Sequence, residues 1–187
     1  CIRDSYKGIA PRKLDGFYQF NYSPGGVYRQ ANWVATMRCP TTRFWGGEIY
    51  NKTNRFGRYQ SHGTLEVLYE GSLAASGYPY KDKKSAEKGG WDWNVVPGTT
   101  TVHYTDWKSM LPNGNNADRF DQWSHTTNFA GALAWGDCGL FAAAFDQDDK
   151  WGSQRFVPTH LSFCKSVFAI DGMLFLSLIH ISEPTRP

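Results

Sequence analysis

The chain has 187 residues and a formal net charge of +3, from 20 Lys+Arg against 17 Asp+Glu. Hydrophobic residues make up 41% and charged residues 20%, which excludes a disordered chain, and the small positive balance excludes a polybasic nucleic-acid arm. No apolar run approaches the ~20 residues of a membrane-spanning helix; the longest candidate, Met173 to Ile179, is short and contains Ser177.

Taken in chain order, the pattern is β throughout. Phe17 to Tyr22 reads as a strand that ends at the turn signal Ser23-Pro-Gly-Gly26. Val27 to Met37 is rich in aromatic and β-branched residues and reads as one strand. Trp33, Ala35 and Met37 alternate there with Val34, Thr36 and Arg38, so one face is core. Cys39-Pro40 breaks it. Arg43 to Tyr50 and Thr64 to Tyr69 continue the series. Gly71 to Gly90, rich in Lys, Gly and Ser, is a long loop. Thr99 to Tyr104 is a further strand, and Leu111 to Asp121 a loop. Leu140 to Phe145 and Leu161 to Ile170 close the set. Many short strands without a long amphipathic helix predict an all-β fold, an antiparallel sandwich.

The usual enzyme signatures are missing. There is no Gly-x-Ser-x-Gly elbow, P-loop, Gly-x-Gly-x-x-Gly or His-Glu-x-x-His. No pair of histidines has metal-ligand spacing, and Cys39, Cys138 and Cys164 fit no zinc pattern; they read as buried small apolar residues, with a Cys39–Cys138 or Cys138–Cys164 disulfide as the alternative. Asp146-Gln-Asp148-Asp149 lacks the Gly and closing Glu of a calcium loop and reads as a solvated acidic turn. No metal site is expected.

Two features point to a ligand. Aromatics are 16% of the chain, and Trp and Tyr stack on sugar rings and bases alike. Trp91 and Trp93 flank Asp92 at strand spacing, so both rings share a face, either a core pair or an exposed platform. Arg29 lies inside an aromatic strand, and Arg55 and Arg58 lie in Asn-Arg-Phe-Gly-Arg-Tyr. A planar guanidinium among aromatics suits a carboxylate or sulfate, or else a structural ion pair at a sheet edge.

Three segments then carry a family resemblance. They are Tyr28-Arg29-Gln-Ala-Asn-Trp33-Val-Ala-Thr-Met37, Trp45-Gly-Gly-Glu-Ile-Tyr50 running on to Asn54-Arg-Phe-Gly-Arg-Tyr-Gln-Ser-His-Gly63, and Gly90-Trp-Asp-Trp-Asn-Val-Val-Pro-Gly-Thr-Thr-Thr-Val-His103. Together they resemble chondroitin sulfate ABC lyases of polysaccharide lyase family eight. The resemblance implies part of a large antiparallel supersandwich and β-elimination at a uronic acid of a glycosaminoglycan. It implies a His and Tyr for proton transfer from a preceding α/α-toroid domain, which would be the missing partner in the same polypeptide. The sandwich would contribute an Arg and a Glu. Arg29 takes the place of that Arg, although Tyr28 stands where a His is common and Gln30 where a second Arg is common. No Glu occurs near Trp135-Gly-Asp137, so Asp137 is the candidate, its ordinary reading being a turn residue. Arg55, Arg58, Trp91 and Trp93 become candidate substrate contacts. Tyr59, His62 and His103 are placed by the resemblance on sandwich strands, in structural roles. No organic cofactor is implied, and any divalent cation would be structural and elsewhere in the full enzyme. The resemblance implies a secreted or periplasmic bacterial protein with no nucleic-acid or membrane partner. The competing reading is a non-catalytic carbohydrate-binding sandwich.

The two ends read differently. One back-translation of Cys1-Ile-Arg-Asp-Ser5, taken on the opposite strand, encodes Leu-Ser-Leu-Ile-His, which are residues 176–180. Residues 1–5 and 176–187 therefore resemble a translated sequencing-library adaptor and are expected not to be native. Residues 6–175 are expected to be a sandwich fragment of a polysaccharide lyase.

Overall fold

The computed structural model describes residues 14–44, 59–69, 94–103, 127–147 and 161–181. Eight strands run through them: β1 (Gly16–Phe20), β2 (Gly25–Gln30), β3 (Trp33–Arg38), β4 (Thr64–Tyr69), β5 (Ala130–Trp135), β6 (Cys138–Gln147), β7 (Leu161–Ile170) and β8 (Met173–Ile181). They form two sheets of four, β1-β2-β3-β4 and β5-β6-β7-β8, with every neighbouring pair antiparallel. The all-β sandwich expected from the alternation is the observed architecture.

Burial follows that alternation. In the first sheet Phe17, Tyr28, Ala35 and Met37 face inward and are buried. In the second, Phe141, Ala143, Phe145, Phe163, Val167 and Ala169 do the same. These side chains make one core between the sheets, as period-two strands packed face to face require. Phe17 is the seam. Its ring lies against the backbone of Gly26 in the first sheet and of Gly139 in the second. A Cβ on Gly26 would fall 2.6 Å from Phe17 Cζ, and one on Gly139 would overlap the ring outright.

Gln19 and Asn21, also on the inward side of the β1 line, do different work. Ala132 N donates to Asn21 Oδ1 at 2.8 Å and Ala134 N donates to Gln19 Oε1 at 2.7 Å. These amides belong to β5, the edge strand of its sheet. Two side-chain carbonyls thus stand in for the missing neighbouring strand.

Several local expectations are corrected. Val27 to Met37 is not one strand: Gln30 pairs with Trp33, so Ala31-Asn32 is a two-residue hairpin loop between β2 and β3. The first strand stops at Phe20, where Ser23 N donates to Phe20 O at 3.2 Å. Of Arg43 to Tyr50, residues 43–44 belong to a turn closed by the Thr41–Phe44 bridge, and the rest lies outside the described residues. Residues 99–103 form no strand. Thr99 N and Oγ1 both donate to Val96 O, closing a turn over Pro97-Gly98, and Thr100 N donates to His62 O at 3.1 Å. Asp146 is not in a turn but within β6, where it accepts from Ser162 Oγ of β7 at 2.7 Å. Strand β5 is not among the expected elements, and β8 (Met173–Ile181) covers a stretch for which a native apolar strand is only the alternative to an adaptor-derived end. From Phe175 to His180 every side chain of β8 is exposed.

Cys39, Cys138 and Cys164 are free thiols, and Cys39 is buried. Behind Cys39 lies a buried lysine. Lys165, 3% exposed, points inward from β7, and its Nζ donates to Gly63 O at 2.6 Å and to Gly98 O. One cation thereby pins the 61–63 turn and the Pro97-Gly98 turn to the second sheet, satisfying carbonyls that burial would otherwise orphan.

Candidate functional site

The geometry turns on Gly16. Residue 16 opens β1 and is paired in register with Arg29 of β2. Its other neighbour is the β5–β6 hairpin loop, Gly136-Asp137. A Cβ on Gly16 would lie 3.2 Å from Asp137 Oδ1 and 3.4 Å from Asp137 Cα, so the bare glycine admits the aspartate. Arg29 and Asp137, far apart in sequence and on different sheets, both border this one residue.

Arg29 alternates with Tyr28, and the two have opposite fates. Tyr28 faces the core at 1% exposure. Its ring meets Trp33 edge-on at a centroid distance of 5.5 Å, and its hydroxyl accepts from Gly172 N at 2.7 Å. The residue that departs from the family's common His is therefore a strut, tying the β2–β3 hairpin to the β7–β8 turn. Arg29 points the other way and is exposed. No described acidic residue pairs with it, so its guanidinium is available to an anion from outside the described residues. Asp137 is likewise exposed, in the two-residue loop that the sequence allowed as its ordinary reading.

The other proposed contacts divide clearly. Arg55, Arg58, Trp91 and Trp93 lie outside the described residues. Tyr59 and His62 are buried and packed on each other at 5.1 Å, with His62 against Phe145 at 4.7 Å. They are core residues, as expected, but sit in the 59–63 turn and not on strands. His103 is in exposed loop. Among the described residues no three His, Cys, Asp or Glu gather as a metal-holding group. No helix among them is long and apolar enough to cross a membrane.

The site is thus one cation, unpaired among the described residues, and one carboxylate, each bordering the same glycine-floored corner, with Tyr18 on the outer face beside Arg29. Such a corner can hold an anionic group and steady developing negative charge.

Comparison with known proteins agrees with the sandwich and its motifs. A chondroitin sulfate ABC endolyase from Proteus vulgaris is 42% identical over 169 residues, covering 89% of this chain and 15% of the relative. A chondroitin sulfate ABC exolyase from Bacteroides thetaiotaomicron is 31% identical over 165 residues, covering 85% of this chain and again 15% of the relative. The chain therefore spans about 15% of the length of these relatives. The fold matches a solved chondroitin AC lyase variant from Streptomyces coelicolor A3 with a TM-score of 0.54 at 19% identity, covering 90% of this chain and 20% of that one. Residues 15–186 match the super-sandwich domain of polysaccharide lyase family 8, and the chain belongs to that family.

Proposed function

We propose that this chain is the sandwich wall of a glycosaminoglycan lyase cleft, acting on chondroitin or dermatan sulfate or hyaluronan by β-elimination. The observation that supports it best is an exposed Arg29, unpaired among the described residues, in register with Gly16, a residue that also borders the exposed Asp137. In β-elimination the C5 proton of the uronic acid is only weakly acidic. Its removal moves charge onto the adjacent carboxylate, and a cation held against that carboxylate lowers the barrier. Arg29 supplies the cation through a planar fork that matches a carboxylate. Asp137, across Gly16 from that strand, orients the substrate. A base removes the C5 proton and an acid protonates the departing O4. Those groups, a His and a Tyr, come from an α/α-toroid preceding the sandwich in the full polypeptide, which is secreted or periplasmic.

The chain alone then gives no rise in the ultraviolet absorbance of unsaturated uronate on chondroitin sulfate. In the full-length enzyme Arg29→Ala lowers kcat by roughly 10²–10³-fold, the usual scale for losing a group that stabilises transition-state charge. Near-normal turnover in that variant rejects the assignment. The uninterrupted gene also tests the proposal that residues 1–5 and 176–187 are adaptor-derived. The opposite-strand relation of the two ends and the all-exposed run from Phe175 to His180 support it, while the family match extends across 176–186. A native reading frame that continues through residue 187 rejects it.

A further inference from the structure

The outer face of the first sheet carries more than Arg29. By the registers of β1 to β4, that face is built from Gly16, Tyr18 and Phe20, then Gly25, Val27 and Arg29, then Val34, Thr36 and Arg38, then Thr64, Glu66 and Leu68. A groove of about 270 Å³ opens at its far end, lined by Phe20, Ser23, Gly25, Thr36, Arg38 and Glu66. Three features make it a shaped site and not a bare stretch of strand.

Its floor is glycine. A Cβ on Gly25 would come within 2.9 Å of Met37 O and 3.2 Å of Ser23 O, and would touch Arg38 Cγ at 3.4 Å, so the bare glycine lets β3 approach closely and leaves the groove floor open beside the arginine stem. The Ser23-Pro-Gly-Gly26 stretch that reads as a turn thus gives one glycine to each face: Gly26 admits Phe17 to the core, and Gly25 clears the groove. Its wall is aromatic and wet. Phe20 is 50% exposed and lies opposite Gly25 in register; a phenyl ring left in water beside a polar groove is a stacking surface. Its polar groups are of both kinds. Arg38 is exposed and spends one Nη2 donor, at 3.3 Å, on Gln60 O. Among the described residues nothing else takes up the fork, which has five N–H donors in all, so most of it is left for an anion. Glu66, which accepts from Thr36 Oγ1 at 3.4 Å, offers a carboxylate suited to hydroxyl and amide donors.

We infer that this groove is a second sugar subsite, continuous with Arg29, in which Phe20 stacks on a pyranose ring and Arg38 holds a second anionic group of an acidic polysaccharide. The spacing fits. Gly25, the register partner of Arg38, is four residues along β2 from Arg29, about 13 Å at the rise of a β-strand. Both cations face the same way along one strand pair, at the span of a short oligosaccharide. A ligand that repeats an anionic group along its length meets both, and a single sugar meets one. Glu66 selects further: it repels a sulfate placed beside it and accepts a hydroxyl or N-acetyl amide.

The inference rests on the proposed lyase reading, and the experiment separates the two. Full-length enzyme is assayed on size-graded chondroitin sulfate oligosaccharides, with Arg38→Ala, Arg38→Lys, Phe20→Ala and Arg29→Ala. Loss of one charge-assisted contact at Arg38 raises KM for long oligosaccharides roughly tenfold. KM for the shortest cleavable one stays unchanged, and kcat is preserved in both. Arg38→Lys restores part of the loss, and Phe20→Ala raises KM for the same long substrates. Equal KM for long substrates in wild type and Arg38→Ala overturns the subsite while leaving the lyase reading intact. Full turnover in Arg29→Ala overturns the lyase reading itself. A uniform fall in kcat and thermal stability in Arg38→Ala, whatever the substrate length, shows a structural role and also overturns the subsite.

Discussion

The two outer faces of the sandwich are made by the same rule and end in opposite chemistry. On the first sheet the outward positions carry Arg29, Thr36, Arg38 and Glu66 beside Tyr18 and Phe20. On the second they carry Leu133, Leu140 and Phe168 in one cross-strand row, with Phe175 next to it and Trp135 and Met173 in the row beyond. Leu133 is 58% exposed. Alternation alone makes each strand two-faced; the second sheet's outer face turns polar toward its other end, with Ser166, Ser177 and the Asp146–Ser162 pair, but among the described residues only the first sheet's outer face carries arginines. An apolar sheet face of this kind behaves as an interaction or self-association surface in water. The sandwich is sided in its cations and in its apolar row: Arg29 and Arg38 lie on the outer face of the first sheet, and the Leu133–Leu140–Phe168 row lies on that of the second.

The largest expected effect tests whether the two faces belong to one folding unit. Phe17 is the ring wedged between Gly26 of one sheet and Gly139 of the other. Phe17→Ala costs about 3–5 kcal/mol, enough to abolish most of a small domain's stability. Urea unfolding followed by near- and far-ultraviolet circular dichroism checks it. Separate transitions for the two sheets, in place of one weakened transition, would break the picture of a shared core.

A smaller effect lies at the buried Cys39–Lys165 corner, where the 61–63 and 94–100 turns hang from the second sheet. Burial pushes the Cys39 thiol up to about 12 from its ordinary 9.0, against opposing pulls from a Gly63 backbone hydrogen bond and from Lys165. Burial pushes Lys165 below its ordinary 10.5, and Cys39 opposes that. Between pH 9.0 and about 12 the unfolded chain releases the thiol proton that the folded chain keeps, so this contribution to stability falls as pH rises. Lys165 works in reverse. Below 10.5 the unfolded chain keeps a proton that the folded chain binds less well, so its share of stability recovers as pH climbs toward that value. Cys39→Ala removes the falling limb. Its urea midpoint should decline less than wild type from pH 9 upward, and an identical decline refutes the assignment.

The smallest effect on stability comes from the apolar outer face. Leu133→Lys and Phe168→Lys shift stability by within about 0.5 kcal/mol, as for exposed positions away from special features. They should nonetheless reduce concentration-dependent association of the isolated chain, read by sedimentation velocity. Unchanged association would show that this face is not the sticky one, and the contrast between the two sheets would lose its meaning.

Legibility followed local chemistry. The β4 and β7 boundaries and the buried set Ala35 and Met37 were readable, because period two is a local property of strands. The β2–β3 hairpin was hidden, since aromatic and β-branched residues flank Ala31-Asn32 on both sides and mask the turn; Asn32 was the available signal. Strand β5 was missed because Ala-Gly-Ala-Leu-Ala-Trp has poor strand propensity and is held by pairing to β6 and by Gln19 and Asn21. Thr99 to His103 erred the other way: good strand formers are bent into a turn that Pro97-Gly98 starts and Lys165 anchors. Asp171-Gly172 is a strong hairpin dipeptide, both residues having positive φ, and it announced β8 to a reader who trusted it.

What the sequence by itself determined is the all-β class, the inward face of β3 and the motifs that mark the family, all written in short-range patterns. What only the tertiary structure decided is that Arg29 and Asp137 both border Gly16, and that Arg38 shares a face with Arg29. Those relations depend on the register of β1 on β2 and β2 on β3, and on where the β5–β6 hairpin lands on the opposite sheet. Register flips every side chain when it slips by one residue, so it is set by the whole packed core and by no segment alone.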